Sequence, residues 1–187
     1  MTEHEFRRVK ESQTTLKELM VPHYANFGGK VHGGVILSLM DKIAYTCAAS
    51  HARGYCVTAS IDSVDFLNPV EVGELLTLHA SVNYVGRSSM EVGIKVVSED
   101  FHNGIVKPTN TSYFTMVAVD EKTRKPVPLP GLILEEDVEV KRFLEGMMRR
   151  QFKQHHREEM RQARAELDIE RELPKLDGQN CRLARPV

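Results

Sequence analysis

One stretch of the chain carries most of the residues that could do chemistry. Asn26-Phe27-Gly28-Gly29-Lys30-Val31-His32-Gly33-Gly34 runs into an apolar segment in which Asp41 follows Gly34 by seven residues. Gly33-Gly34 opens what reads as a helix. A helix start presents unpaired N–H groups and a partial positive charge, and glycine lets another group come close to that backbone. Such a feature can hold a carbonyl oxygen and stabilise the oxyanion formed when the carbonyl is attacked. The plainer alternative is a close-packed helix start. Asp41 lies about two turns further on, with Leu37, Ser38, Ala44, Tyr45 and Ala48 at helical spacing and no basic residue among them. A carboxylate on a largely apolar stripe is costly unless it is paired or hydrogen-bonded, which marks Asp41 as a candidate general base or nucleophile. The alternatives are a wetted edge beside Lys42, or a bond to Ser38 or Tyr45. Asn26 has an amide that can donate to a carbonyl and accept from a water, or it serves only as a turn residue.

These residues need elements to hold them. Thr14–Met20 is a short mixed run that reads as a strand. Pro22 to Gly34 is loop-like, with four glycines in thirteen residues. Val35–Ala52 has no Gly or Pro, and its apolar residues fall on nearly every face, the pattern of a helix buried on most sides. Gly54 is its expected stop. Alternating strands follow over Cys56–Phe66, Leu75–Val85, Met90–Glu99 and Asn110–Asp120. Turn signals separate them at Asn68-Pro69, Val72-Gly73-Glu74, Gly86-Arg87-Ser88-Ser89 and Asn103-Gly104. Short turns make antiparallel neighbours. The fold class is therefore α+β, with one long helix against one antiparallel sheet.

Of 187 residues, 41% are hydrophobic, enough for a core in one ordinary domain with an appendage. Lys+Arg is 25 and Asp+Glu 26, so no global basic field exists to attract nucleic acid. Charge is uneven: 22 of the last 51 residues are charged against 29 of the first 136, which sets a boundary near residues 131–137. Beyond the Pro-rich stretch at 125–131, Glu135–Glu172 reads as a charged helix with Val140, Leu144, Met147 or Met148, and Gln151 or Phe152 on one stripe. The reading divides the chain into a domain at 12–132 and a mainly helical extension at 133–187. Arg149, Arg150, Lys153, Arg157, Arg161 and Arg164 in that extension are interleaved with acids, the pattern of a solvated helix. The first eleven residues and Pro174–Val187 read as loose. No run is long and apolar enough for a membrane span, and the charged N-terminus lacks the apolar region of a secretory signal. Cys47, Cys56 and Cys181 have no CxxC spacing, and the eight histidines have no HExxH spacing, so no metal ligands are assigned. A cytoplasmic location is the expectation.

Asn26-x-x-Gly29-x-x-His32-Gly33-Gly34, followed by Asp41 in Leu-Met-Asp-Lys-Ile-Ala, resembles the signature of hotdog-fold acyl-CoA thioesterases, and within them the cytosolic acyl-CoA hydrolase family. Val57-Thr58-Ala59, Val64 to Val70, Val72-Gly73-Glu74, Gly86 to Val92 and Phe114 to Asp120 extend the similarity from about Thr14 to Leu132, roughly two-thirds of the chain. The resemblance implies an antiparallel sheet wrapped around a central helix. It implies hydrolysis of fatty acyl-CoA to a free acid and coenzyme A, with no cofactor, since coenzyme A is part of substrate and product. It also implies Asn26 and Asp41 as a catalytic pair contributed by two subunits of a dimer, with dimers assembling as a trimer into a hexamer. Gly33 and Gly34 would hold the carbonyl, and Arg87, Ser88 and Ser89 lie where the coenzyme A nucleotide is expected. No nucleic acid or membrane partner is implied. His32 reads as structural or substrate-lining.

Two other functions fit the same fold. A hydratase or dehydratase of acyl thioesters would carry an Asp and a His near Asn68-Pro69, where this chain has Val-Glu-Val-Gly. A non-catalytic acyl-CoA-binding protein would not need both Asn26 and Asp41.

Overall fold

The computed structural model describes residues 5–184. It forms two compact units, the first ending at Gly146 and the second starting at Met147. In the first, β2 (Thr14–Leu19), β4 (Leu75–Val85), β5 (Ser89–Asp100), β6 (Ile105–Ala118) and β3 (Cys56–Ile61) form one antiparallel sheet in the order β2-β4-β5-β6-β3. A single helix, α1 (Gly33–Ala52), packs on it. This is the α+β arrangement expected from the sequence, a curled sheet around one long helix.

The core follows from two periodicities. On α1, Ile36, Leu39, Met40, Ile43, Ala44, Cys47, Ala48 and His51 recur at steps of three and four and are all buried. On the sheet, Leu76, Leu78, Ala80 and Val82 of β4, Val92, Ile94 and Val96 of β5, and Phe114, Met116 and Ala118 of β6 alternate toward the same cluster. Each fully buried large side chain contributes on the order of 1.5–3 kcal/mol. Cys47 sits wholly inside, and burial pushes its thiol up to about 12, as suits a core filler and not a reactive group.

The structure departs from the sequence expectations at several places. Helix α1 is buried along one stripe and not on most sides: Ser38, Asp41, Lys42, Tyr45 and Thr46 are exposed within the chain. Its end is set by Arg53 in the left-handed conformation (φ 50°), one residue before Gly54. β3 stops at Ile61, not at Phe66. After a bulge between Thr58 and Ser60, residues 62–69 leave the ladder and run alongside β6, where Asp62 N–H donates to Tyr113 O (3.0 Å) and Leu67 N–H to Thr109 O (3.0 Å).

The N-terminal segment is ordered where fraying is expected. β1 (Phe6–Arg8) pairs in parallel with β7 (Gly131–Ile133), a strand inside the Pro-rich exit. Arg7 is buried and its guanidinium donates to His51 O at the end of α1. Residues 1–4 and 185–187 lie outside the described residues. The charged helix is shorter than expected: α2 covers Asp137–Ala165, and Asp168 caps a separate short α3 (Ile169–Glu172). In the second unit, Arg161 pairs with Glu158 (2.6 Å) and His155 with Glu159 (3.1 Å), as on a solvated helix. Among the described residues, no helix is long and apolar enough to cross a membrane.

Candidate active site

The loop ahead of α1 is built on Asn26. Its Oδ1 accepts from the N–H groups of Gly28 (2.8 Å) and Lys30 (3.2 Å), and its own N–H donates to Lys30 O (2.6 Å). Gly29 closes the turn at φ 77°, a conformation that glycine adopts without strain. Val31 N–H bonds to Val70 O (2.9 Å) and His32 N–H to Tyr24 O (2.8 Å), tying both ends of the loop to the body of the domain. The acceptor side of the Asn26 amide is thus spent on the turn. Its NH₂ group has no acceptor among the described residues, so Asn26 is left as a donor.

The helix start offers a second donor. His32 is the N-cap, and its Nδ1 accepts from Gly34 N–H at 2.9 Å. That engages one of the two N–H groups the sequence offers. Gly33 N–H has no partner among the described residues. A Cβ on Gly33 would lie 3.3 Å from the ring of Phe66, so close packing and an open backbone donor coexist at this glycine. Asn26, His32 and Gly33 line one open groove of about 700 Å³ with Ala25, Phe27, Gly28 and Lys30. Phe27 stands fully exposed at its rim.

Asp41 does not line that groove. Eight residues separate it from Gly33, a rise of about 12 Å along the helix. Its carboxylate is exposed in the chain, and Thr58 Oγ1 of β3 donates to its Oδ1 at 2.7 Å. The alternatives weighed from sequence, a bond to Ser38 or Tyr45, are replaced by this one. Thr58 is the residue that the sequence reading passes over: no local spacing links it to Asp41, and only the packing of β3 beside α1 brings them together. Arg87, Ser88 and Ser89 form the β4–β5 turn. Arg87 is exposed, its carbonyl accepts from Leu129 N–H (2.9 Å), and Ser88 O accepts from Ala118 N–H (3.1 Å). The chain therefore carries two separate features, a donor groove at Asn26 and Gly33 and a held carboxylate at Asp41.

Residues 28–104 match the Thioesterase superfamily. Protein VdlD of Helicobacter pylori strain 26695 is 48% identical over 132 residues, 71% of this chain and 74% of that protein. The uncharacterized acyl-CoA thioester hydrolase YkhA of Bacillus subtilis is 40% identical over 136 residues, 73% of this chain and 78% of that protein. The chain belongs to the acyl-CoA thioester hydrolases of the thioesterase superfamily. In structure, this hydrolase resembles the Staphylococcus aureus acyl-CoA hydrolase solved with butyryl coenzyme A, coenzyme A and coenzyme A disulfide, with a TM-score of 0.76, 34% identity, and coverage of 84% and 96% of the two chains. It also resembles an apo-hexameric acyl-CoA thioesterase, with a TM-score of 0.72, 36% identity, and coverage of 88% and 99%. The Staphylococcus aureus enzyme has further been solved with an asparagine, an aspartate 15 residues later, or a threonine 17 residues after that changed to alanine. Asn26, Asp41 and Thr58 have the same spacings in this hydrolase.

Proposed function

We propose that the protein hydrolyses fatty acyl-CoA to a free fatty acid and coenzyme A at a site completed by two copies of the chain. One observation carries this reading. The free donors of Asn26 and Gly33 open on one groove, while Asp41 is held by Thr58 on another exposed surface. Two copies related by a two-fold axis would bring the groove of one against the carboxylate of the other, twice per dimer.

In this site the thioester carbonyl oxygen accepts from Gly33 N–H and the Asn26 amide. Both donors strengthen as the carbonyl becomes an oxyanion. Gly34 supports close approach of the substrate to the helix start, since its own N–H is bonded to His32. Asp41 of the second copy takes a proton from water as it attacks, or itself attacks to give an anhydride that water then opens. Either way the C–S bond breaks and the sulfur leaves as coenzyme A thiol; on the first route water supplies the acid's new oxygen, and on the second, with water opening the anhydride at the aspartyl carbon, Asp41 supplies it and water replaces it in the carboxylate. A single turnover in ¹⁸O-labelled water separates the routes, because only the anhydride route leaves label in Asp41. Thr58 keeps one carboxylate oxygen fixed and leaves the other for chemistry. Arg87, Ser88 and Ser89 are assigned to the nucleotide of coenzyme A, with the exposed guanidinium toward phosphate. We assign the dimer to a hexamer, which the hexameric structural relative supports, and the protein to the cytoplasm.

Subunit complementation tests the shared site. Asn26→Ala and Asp41→Ala preparations are each inactive. After dissociation, mixing and reassociation, thiol release returns to about a quarter of the unmodified rate, because half of the dimers are mixed and each holds one intact site. Mixed dimers with no recovered activity would remove the two-chain reading.

A further inference from the structure

The sheet face turned away from α1 carries a second pocket, of about 480 Å³, in the first compact unit. It lies between β4, β5 and β6 and the start of α2, and the core side of the sheet separates it from α1. Its floor comes from two adjacent cross-strand rows, Ser81–Gly93–Tyr113 and His79–Lys95–Thr111. Arg142 of α2 stands over it.

Two features mark the floor as built for a ligand. Asn83 is only 6% exposed and lies on the pocket lining. The chain makes room for that amide deliberately: a Cβ on Gly93 would lie 2.2 Å from Asn83 Nδ2, so a glycine in mid-strand, itself unfavourable there, is required for Asn83 to lie where it does. The β4–β5 register shifts between Val82 and Tyr84, and Asn83 is the extra residue that the bulge turns onto this face. Beside it, the Ser81 Oγ is buried with no hydrogen-bond partner among the described residues, which costs on the order of 1–3 kcal/mol.

The walls supply charge. Lys95 and Arg142 have no ion pair among the described residues. His79 Nδ1 contacts Thr15 Oγ1 at 3.2 Å, and the one acid on the lining, Glu145, lies 3.9 Å from Lys141. Unpaired cations above an unsatisfied hydroxyl and a neighbouring amide match a ligand rich in oxygen acceptors and negatively charged. We infer that this pocket binds a small organic phosphate, with its phosphate on Lys95 and Arg142 and its polar body on Ser81 and Asn83. The site is separate from the thioesterase reaction and does not depend on its assignment.

Calorimetric titration of the full-length oligomer tests this, with glycerol 3-phosphate, inorganic phosphate and acetate as probes at low ionic strength. The expected result is saturable binding of glycerol 3-phosphate that exceeds inorganic phosphate and is absent for acetate. Lys95→Gln with Arg142→Gln should raise the dissociation constant by about tenfold or more. Ser81→Ala should weaken glycerol 3-phosphate more than inorganic phosphate. Both are changes to polar lining groups, and unchanged melting and oligomer mass establish that the variants fold. No saturable binding of either phosphate, equal binding by the double variant, or dissociation of the oligomer in that variant would each overturn the inference. The last would assign the pocket to a contact between copies.

Discussion

At the scale of single residues, the economy of Asn26 and Asp41 lies in what holds them. Each has one oxygen engaged by its own chain, Oδ1 of Asn26 by the turn and Oδ1 of Asp41 by Thr58, and each keeps its other terminal group for another molecule. Asp41→Asn retains the shape and removes the base, so kcat for thiol release should fall by about 10²-fold or more while coenzyme A affinity is largely kept. Thr58→Ala should lower kcat with little change in KM, and Thr58→Ser should restore most of it, because serine keeps the hydroxyl donor. A Thr58→Ala enzyme with unchanged kcat would show that the hydrogen bond does not position the carboxylate. His51 offers a different residue-scale test. It is buried at the end of α1, with Nε2 on Pro130 O (3.0 Å) and Nδ1 unpartnered. Burial holds its pKa below the ordinary value, against the contribution of that hydrogen bond, with Arg7 lowering it further and Glu11 and Glu5 opposing. The unfolded chain therefore takes up the proton first, and stability is lost as pH falls below about 6.5, the ordinary histidine value. Melting temperature against pH should decline there in the unmodified protein and more gently in His51→Gln.

At the scale of elements, the sheet and α1 account for the placement of the site, and glycines account for close approaches between elements. Gly146 of α2 shows how context reverses a local preference. Alanine is the better helix former by about 1 kcal/mol, but a Cβ there would lie 2.7 Å from Tyr84 Cβ and 2.9 Å from Glu91 Oε1. The backbone of β4 cannot yield as a flexible side chain would. Gly146→Ala should therefore destabilise the first unit by roughly 1–3 kcal/mol, measured by chemical denaturation. A stabilised variant would mean that α2 shifts freely on the sheet. Tyr84 and Phe143 pack beside this point as a tilted pair with ring centroids 5.0 Å apart, which adds to the cost of such a shift.

At the scale of the whole molecule, the proposed two-chain site makes a single copy of the chain an incomplete enzyme. Light scattering should find a dimer or a hexamer, and specific activity should fall on dilution through the range where the oligomer dissociates. Constant specific activity in a demonstrated monomer would contradict the shared site. A panel of acyl-CoA substrates from acetyl to palmitoyl, read by free thiol, gives the chain-length range in the same assay. Crotonyl-CoA consumed without thiol release would identify hydratase chemistry instead.

Much of this was legible in the residues themselves. Alternation placed β4 at Leu75–Val85 and β5 and β6 within a few residues, because a strand buried on one face must repeat every second position. The Gly-rich loop and the helix behind it were equally plain, since few other residue types suit a turn leading directly into a helix start. Contacts between distant segments were not legible. The hold of Thr58 on Asp41, the pairing of β1 with β7 and the exposure of one face of α1 depend on which elements lie side by side, and no periodicity within a segment encodes that. The occupied N–H of Gly34 and the unpartnered hydroxyl of Ser81 belong to the same class. A sequence states which groups are present; only the packed chain decides which have already found a partner and which are left for another molecule.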